Sequence, residues 1–228
     1  MNKSEIAALD QNDPLRSHRD KFELPEDIIY LDGNSLGALP KGVADRLSDV
    51  VTQEWGKSLI KSWNVHDWYP QPGRVGDKIA KLIGAEQGSV VSADSTSVNL
   101  YKLLTAAVRL NEDLNPGRRV ILSDTGNFPN DLYVIQGLVD LLGDDYEMRL
   151  VAPEEIAHAL TEDVAAAVIT QVDYRTGRRH DMADLTARAK DRGIKVIWDL
   201  CHSAGAFPVD LAGSGAEFAV GCSYKYLN

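Results

Sequence analysis

The side chains best suited to covalent and electrostatic chemistry lie in a few short segments. Lys225 stands in Gly221-Cys222-Ser223-Tyr224-Lys225-Tyr226-Leu227-Asn228, between two tyrosines and after the apolar run Phe218-Ala219-Val220. An amine in such surroundings reads as a desolvated nucleophile that can attack a carbonyl carbon. The alternative is a strand-end lysine that reaches solvent. Asp199 ends the largely apolar run from Ile194 to Trp198. An ionised carboxylate there is costly unless a cation or several donors meet it, although the same residue can cap the segment that follows.

Three further segments offer partners. Ser95-Thr96-Ser97 precedes a helix-period stretch, so its amides and hydroxyls can hold an anion at the positive helix end, or simply cap that helix. Phe128-Pro129-Asn130-Asp131 puts a ring and a carboxylate on one loop; the ring can stack on a flat heterocycle, and Asp131 can accept from it or cap a helix starting at Leu132. His202 follows Asp199 by three residues and can bind a phosphate, orient Asp199, or be an ordinary core histidine. Taken jointly, a carboxylate for a pyridinium nitrogen and an amine for an aldehyde describe pyridoxal 5'-phosphate, whose protonated ring is an electron sink.

These groups need rigid elements to bring them together. A short β-like run, Ile28-Ile29-Tyr30-Leu31, turns at Asp32-Gly33-Asn34, and helices are predicted from Lys41 to about Lys57 and from Arg74 to Ile83. Beyond them β-branched runs alternate with helix-period segments. The strands are Val90-Val91, Val120 to Leu122, Glu147 to Val151, Ala166 to Thr170, Ile194 to Asp199 and Phe218 to Gly221. The helices are Val98 to Arg109, Leu132 to Leu142, Glu154 to Leu160 and Met182 to Arg192. This alternation implies an α/β three-layer sandwich with a mainly parallel sheet between helices. Ligands of such sheets sit beyond the carboxyl ends of the strands. Ser95 to Ser97, Thr125 to Asp131, Thr170 to Asp173, Asp199 to Ser203 and Ser223 to Lys225 are the five segments expected there. No Gly-x-Gly-x-x-Gly or Gly-x-x-x-x-Gly-Lys-Ser/Thr loop is present, which removes the usual dinucleotide and nucleoside-triphosphate sites.

Composition narrows the classes further. The 228 residues carry a net charge of −10 with scattered basic residues, which argues against a nucleic-acid partner. The start lacks an apolar signal core and no run is long enough to span a bilayer, so a cytoplasmic protein without membrane contact is expected. Cys201 and Cys222 are too few for a disulfide framework, and with His158, His180 and His202 dispersed, no metal is expected.

Together, Tyr30 to Gly37, Phe128-Pro129-Asn130-Asp131, Asp199 to Gly205 and Gly221 to Asn228 resemble the kynureninase family, of fold-type I pyridoxal phosphate enzymes. Related cysteine desulfurases and selenocysteine lyases typically carry Asn-Ala-Ala near the first segment and His before the lysine; here Tyr224 precedes Lys225. The resemblance implies hydrolysis of L-kynurenine, or 3-hydroxykynurenine, to anthranilate or its 3-hydroxy form and L-alanine. It also implies a homodimer. By the same resemblance Lys225 forms the Schiff base, Asp199 pairs with the pyridinium, and Tyr224 contacts the phosphate and relays protons. Thr96, Ser97, Phe128, Asp131, Thr170 and His202 complete the cofactor contacts, while Ser35 and Trp63 face the substrate. Some relatives have an apolar residue at the place of Thr96, which assigns that contact to the backbone amide. Residues 1–27 read as an arm and 28–228 as the cofactor-binding large domain, whose remainder, with a small C-terminal domain bearing a carboxylate-binding arginine, is expected beyond Asn228. Another enzyme of the same fold, or a non-catalytic piece of it, are the alternatives.

Overall fold

The computed structural model describes residues 1–228. They form two compact units, residues 1–69 with 228, and residues 70–227.

In the first unit, α1 (Lys3–Asn12) begins at a reciprocal capping box: the Asn2 side chain accepts from the Ser4 and Glu5 amides, and Glu5 reaches back to the Asn2 amide. β1 (Phe22–Glu23) and β2 (Leu39–Pro40) form a two-residue antiparallel pair. α2 (Val43–Asp49) continues into a π-helical stretch, Val50–Ser58, and α3 (Ser62–Val65) follows. Glu54 is buried within the π-helical stretch because Arg46 pairs with it at 2.6 Å and Trp68 Nε1 donates to it at 2.6 Å. The run Ile28 to Leu31, expected to be β-like, is irregular, and Ile29 is 87% exposed. No strand pairs with it. The turn is closed instead by the Tyr30 hydroxyl, 2.6 Å from the Leu36 carbonyl.

The second unit opens with α4 (Gln71–Ile83), which ends at Gly84 in the left-handed conformation (φ +62°). A Cβ at Gly84 would lie 2.6 Å from Asp210 Cα, so glycine is required both for the cap and for the close approach. Val90-Val91, expected as a strand, pairs with none. The Val90 carbonyl sits where a Cβ of Gly76 would be, 1.9 Å away, so this segment packs its backbone onto α4. Ser95 to Ser97 therefore follow a loop, and four of the five expected strand-end segments remain.

After α5 (Thr96–Leu114) come β3 (Val120–Asp124), α6 (Pro129–Leu142), β4 (Glu147–Val151), α7 (Ile156–Ala159), β5 (Val164–Thr170), α8 (Met182–Asp191), β6 (Lys195–Asp199) and β7 (Phe218–Val220). The five strands pair in the order β4-β3-β5-β6-β7, all parallel. Alternate residues feed two cores. Val120, Leu122, Ala167, Ile169, Val196 and Trp198 face α4, α7 and α8. On the other side Ile121, Ala166, Val168 and Ile197 face α5 and α6. With both faces covered, β5 is buried along its whole length, which explains why Val164 to Thr170 is almost wholly apolar and lacks alternation. The expected three-layer α/β sandwich is thus the observed one. The chain order reverses between β3 and β5, which opens a crevice at their carboxyl ends.

Candidate active site

Loops leaving β3, β5, β6 and β7 converge at that crevice. Lys225 is only 7% exposed, and its Nζ lies 2.8 Å from His202 Nε2, 5.5 Å from the centre of the Phe128 ring and 5.7 Å from that of Tyr224. A lysine ammonium has only donors, so Nε2 accepts and the imidazole proton sits on Nδ1. Burial, and then the charge of Lys225, hold the His202 pKa below its usual value and favour this neutral ring. His202 Nδ1 is itself buried and has no hydrogen-bond partner in the chain.

Asp199, at the end of β6, is buried; Oδ1 accepts from the Cys201 amide at 2.8 Å, and Oδ2 lies 3.2 Å from the Thr170 hydroxyl. Asp131 lies in the first turn of α6, is buried, and leaves Oδ2 without a partner. Burial, reinforced by the Asp199 charge, pushes its pKa up to about 8. Phe128 is the N-cap of α6; Pro129 at the first helical position fixes the chain so that the Phe128 ring faces His202 at 6.2 Å and Tyr174 at 5.1 Å. Ser203 Oγ is a third buried polar atom without a partner.

Thr96 and Ser97 form the first turn of α5, capped by Ser95 Oγ, which accepts from the Val98 amide. The Thr96 hydroxyl donates to the Gly221 carbonyl at 3.1 Å, and Ser97 Oγ pairs with the Asn130 amide at 3.0 Å. The two hydroxyls thus tie α5 to the loop after β7 and to the start of α6, and the first-turn amides are the groups left for an anion. Tyr224 is 54% exposed, and burial of its hydroxyl and the adjacent Cys222 push its pKa up to about 12. Ser35 and Trp63 belong to the first unit. Ser35 Oγ donates to Asp32 at 2.8 Å, and half-exposed Trp63 lies 6.4 Å from the Tyr69 ring.

Two residues given no role in the sequence analysis join the site, Asn127 from within the strand-end segment Thr125 to Asp131 and Tyr174 from just outside another. Asn127 is buried between Thr170, Ser123 and the Phe128 amide. Tyr174 stacks on His202 at 6.0 Å. Tyr174 is the aromatic residue just past the strand-end segment Thr170 to Asp173, a signal the sequence contains. For Asn127 the strand-end position is the signal, while its role is not legible because Ser123, Val168 and Thr170 come from β3 and β5.

The unpartnered atoms decide what fits. His202 Nδ1, Asp131 Oδ2 and Ser203 Oγ, gathered with a buried amine and a buried carboxylate, are polar atoms whose partners the chain does not supply. An aldehyde-bearing, phosphorylated pyridine matches the set.

A model of the family described as Aminotransferase class-V matches residues 29–228. The chain is 56% identical to a kynureninase of Deinococcus radiodurans and 50% identical to one of Pseudomonas fluorescens, each match covering 99% of the chain and 55% of the relative. It spans about half the length of the curated relatives it matches. Its fold is similar to a C-DES mutant with glycine covalently linked to the PLP cofactor (TM-score 0.75, 15% identity, 91% of this chain and 56% of that one). It is also similar to a cysteine desulfurase from Thermococcus onnurineus (TM-score 0.69, 20% identity, 91% and 52%).

Proposed function

Because the chain belongs to the aminotransferase class-V family, we propose that it is the cofactor-binding part of a pyridoxal phosphate-dependent hydrolase that cleaves L-kynurenine to anthranilate and L-alanine. The observation that carries the reading is the buried Lys225 amine against His202, within a crevice of unpartnered polar atoms. Residues 28–228 make up the greater part of the large domain. A cytoplasmic homodimer is part of the same proposal; no helix of the chain is long and apolar enough to cross a membrane.

Pyridoxal phosphate, when bound, supplies the electron sink that stabilises negative charge on the substrate carbon next to the amine. Lys225 would hold the cofactor through its amine and would move the proton at the substrate α-carbon. Asp199 accepts from the ring N–H and keeps that nitrogen protonated. His202 Nδ1–H donates into the crevice, Phe128 stacks on the ring, and Asp131 and Thr170 hold polar groups at the heterocycle. The amides of Thr96 and Ser97 take the phosphate at the start of α5. Tyr224 contacts the phosphate and relays a proton to the departing fragment. Ser35 and Trp63 contact the substrate. Adding L-kynurenine to the full-length protein loaded with pyridoxal phosphate is expected to release anthranilate, followed by its fluorescence. A cofactor-loaded protein that releases none overturns the assignment.

A further inference from the structure

The contacts around Thr170 point to a residue that sets the charge available on Asp199. Thr170 Oγ1 has one proton and two acceptors within reach: Asn127 Oδ1, at the shorter of the two distances, and Asp199 Oδ2 at 3.2 Å. The orientation of the Asn127 amide is fixed by its other neighbours. Its Oδ1 accepts from the Phe128 amide at 2.6 Å, while Nδ2 donates to Ser123 Oγ at 2.9 Å and to the Val168 carbonyl at 3.4 Å. Turning the amide over would set its NH2 against the Phe128 N–H and its oxygen against the Val168 carbonyl. Ser123 locks this arrangement by donating its own proton to Val168 at 2.8 Å. Asn127, Thr170 and Ser123 are all buried, so no water competes for these protons.

We propose that Asn127 is a positioning residue that draws the Thr170 proton away from Asp199, leaving Asp199 Oδ2 undivided for a ring N–H. The inference rests on the reading of Asp199 as partner of a pyridinium. A carboxylate oxygen that accepts from fewer neighbours is the stronger base and holds the ring proton more firmly. With the Asn127 oxygen gone, Thr170 rotates its proton onto Asp199, and the carboxylate is shared between two donors. The same Oδ1 anchors the Phe128 amide, so one side chain sets both the ring-stacking loop and the charge beneath it.

The test is a titration of the full-length apoprotein with pyridoxal phosphate, followed by the visible band of the bound cofactor and its dependence on pH. Asn127→Ala is expected to weaken cofactor affinity about tenfold, the size of a redirected hydrogen bond to a charged group, and to lower the pH at which the ring nitrogen loses its proton. Adding Thr170→Val removes the contested proton, so the double variant is expected to regain the wild-type pH at which the ring nitrogen loses its proton, while the affinity lost with the Thr170 contact and the Phe128 anchor stays lost. Loss of the Phe128 anchor alone would not be repaired this way. Ser123→Ala, a milder loosening of the same amide, is expected to lower that pH by less, again restored by Thr170→Val, and decides the matter where Asn127→Ala does not fold. A wild-type pH profile in Asn127→Ala, or a shifted profile that Thr170→Val does not restore in either variant, overturns the inference. A wild-type protein that develops no visible band overturns the function reading itself, which separates the two failures.

Discussion

The two ends of the central sheet treat charge in opposite ways. At the amino ends of the strands, charged groups are partly exposed and already paired: Arg149 with Glu147 at 2.6 Å and Asp163 at 2.7 Å, and Lys195 with Glu217 at 2.5 Å. At the carboxyl ends Lys225, Asp199, Asp131 and His202 are buried together, and two of them, Asp131 and His202, carry atoms without a partner. Pairs in water gain little, whereas buried groups without partners cost stability that only a ligand can return. The difference separates the groups that hold the fold from the groups held ready for a ligand.

The contrast is broken most severely at Lys225. Lys225→Ala is expected to abolish the visible band with pyridoxal phosphate and to lower anthranilate formation in the full-length protein by about a thousandfold or more. Retained activity would remove the amine from the chemistry. Asp131 sharpens the comparison through pH. Its carboxyl is raised from 3.8 to about 8 in the folded chain, so its contribution to the stability of the ligand-free protein is fully present below about pH 4 and is lost as pH rises toward 8. Asp131→Asn is expected to flatten that slope and to stabilise the ligand-free protein at pH 8, by an amount on the order of a few kcal/mol, read from denaturant midpoints across pH. An unchanged slope would show that the crevice does not burden the fold as described. The smallest effect belongs to the opposite end. Hydrogen bonds from Arg149 and Thr161 hold Asp163 at about 2, so its contribution is present above about pH 4 and fades as pH falls toward 2, the reverse of Asp131. Asp163 is half-exposed and screened, so Arg149→Ala is expected to cost under about 1 kcal/mol, less in high salt, with cofactor affinity unchanged.

Much of the sheet was legible because burial on both faces leaves a strong imprint. Val164 to Thr170 and Lys195 to Asp199 read as apolar runs since helices cover both of their sides. Val90-Val91 and Ile28 to Leu31 carry the same residue types without becoming strands. One lies against Gly76 of α4, and the other has no neighbour to complete its hydrogen bonds. Apolar, β-branched composition records a preference for burial, and pairing is decided elsewhere in the chain.

The sequence by itself determined which side chains are available for chemistry: an amine between tyrosines, a carboxylate ending an apolar strand, and a Phe-Pro step opening a helix. Those features rest on local propensity and on the cost of burying charge, which residue type and immediate neighbours express. Only the tertiary structure decided that His202 reaches Lys225, that Asp131 is left with an unpaired oxygen, and that Asn127 claims the Thr170 proton. Each of these joins residues from separate strands, and the direction of a hydrogen bond depends on all the partners that surround it.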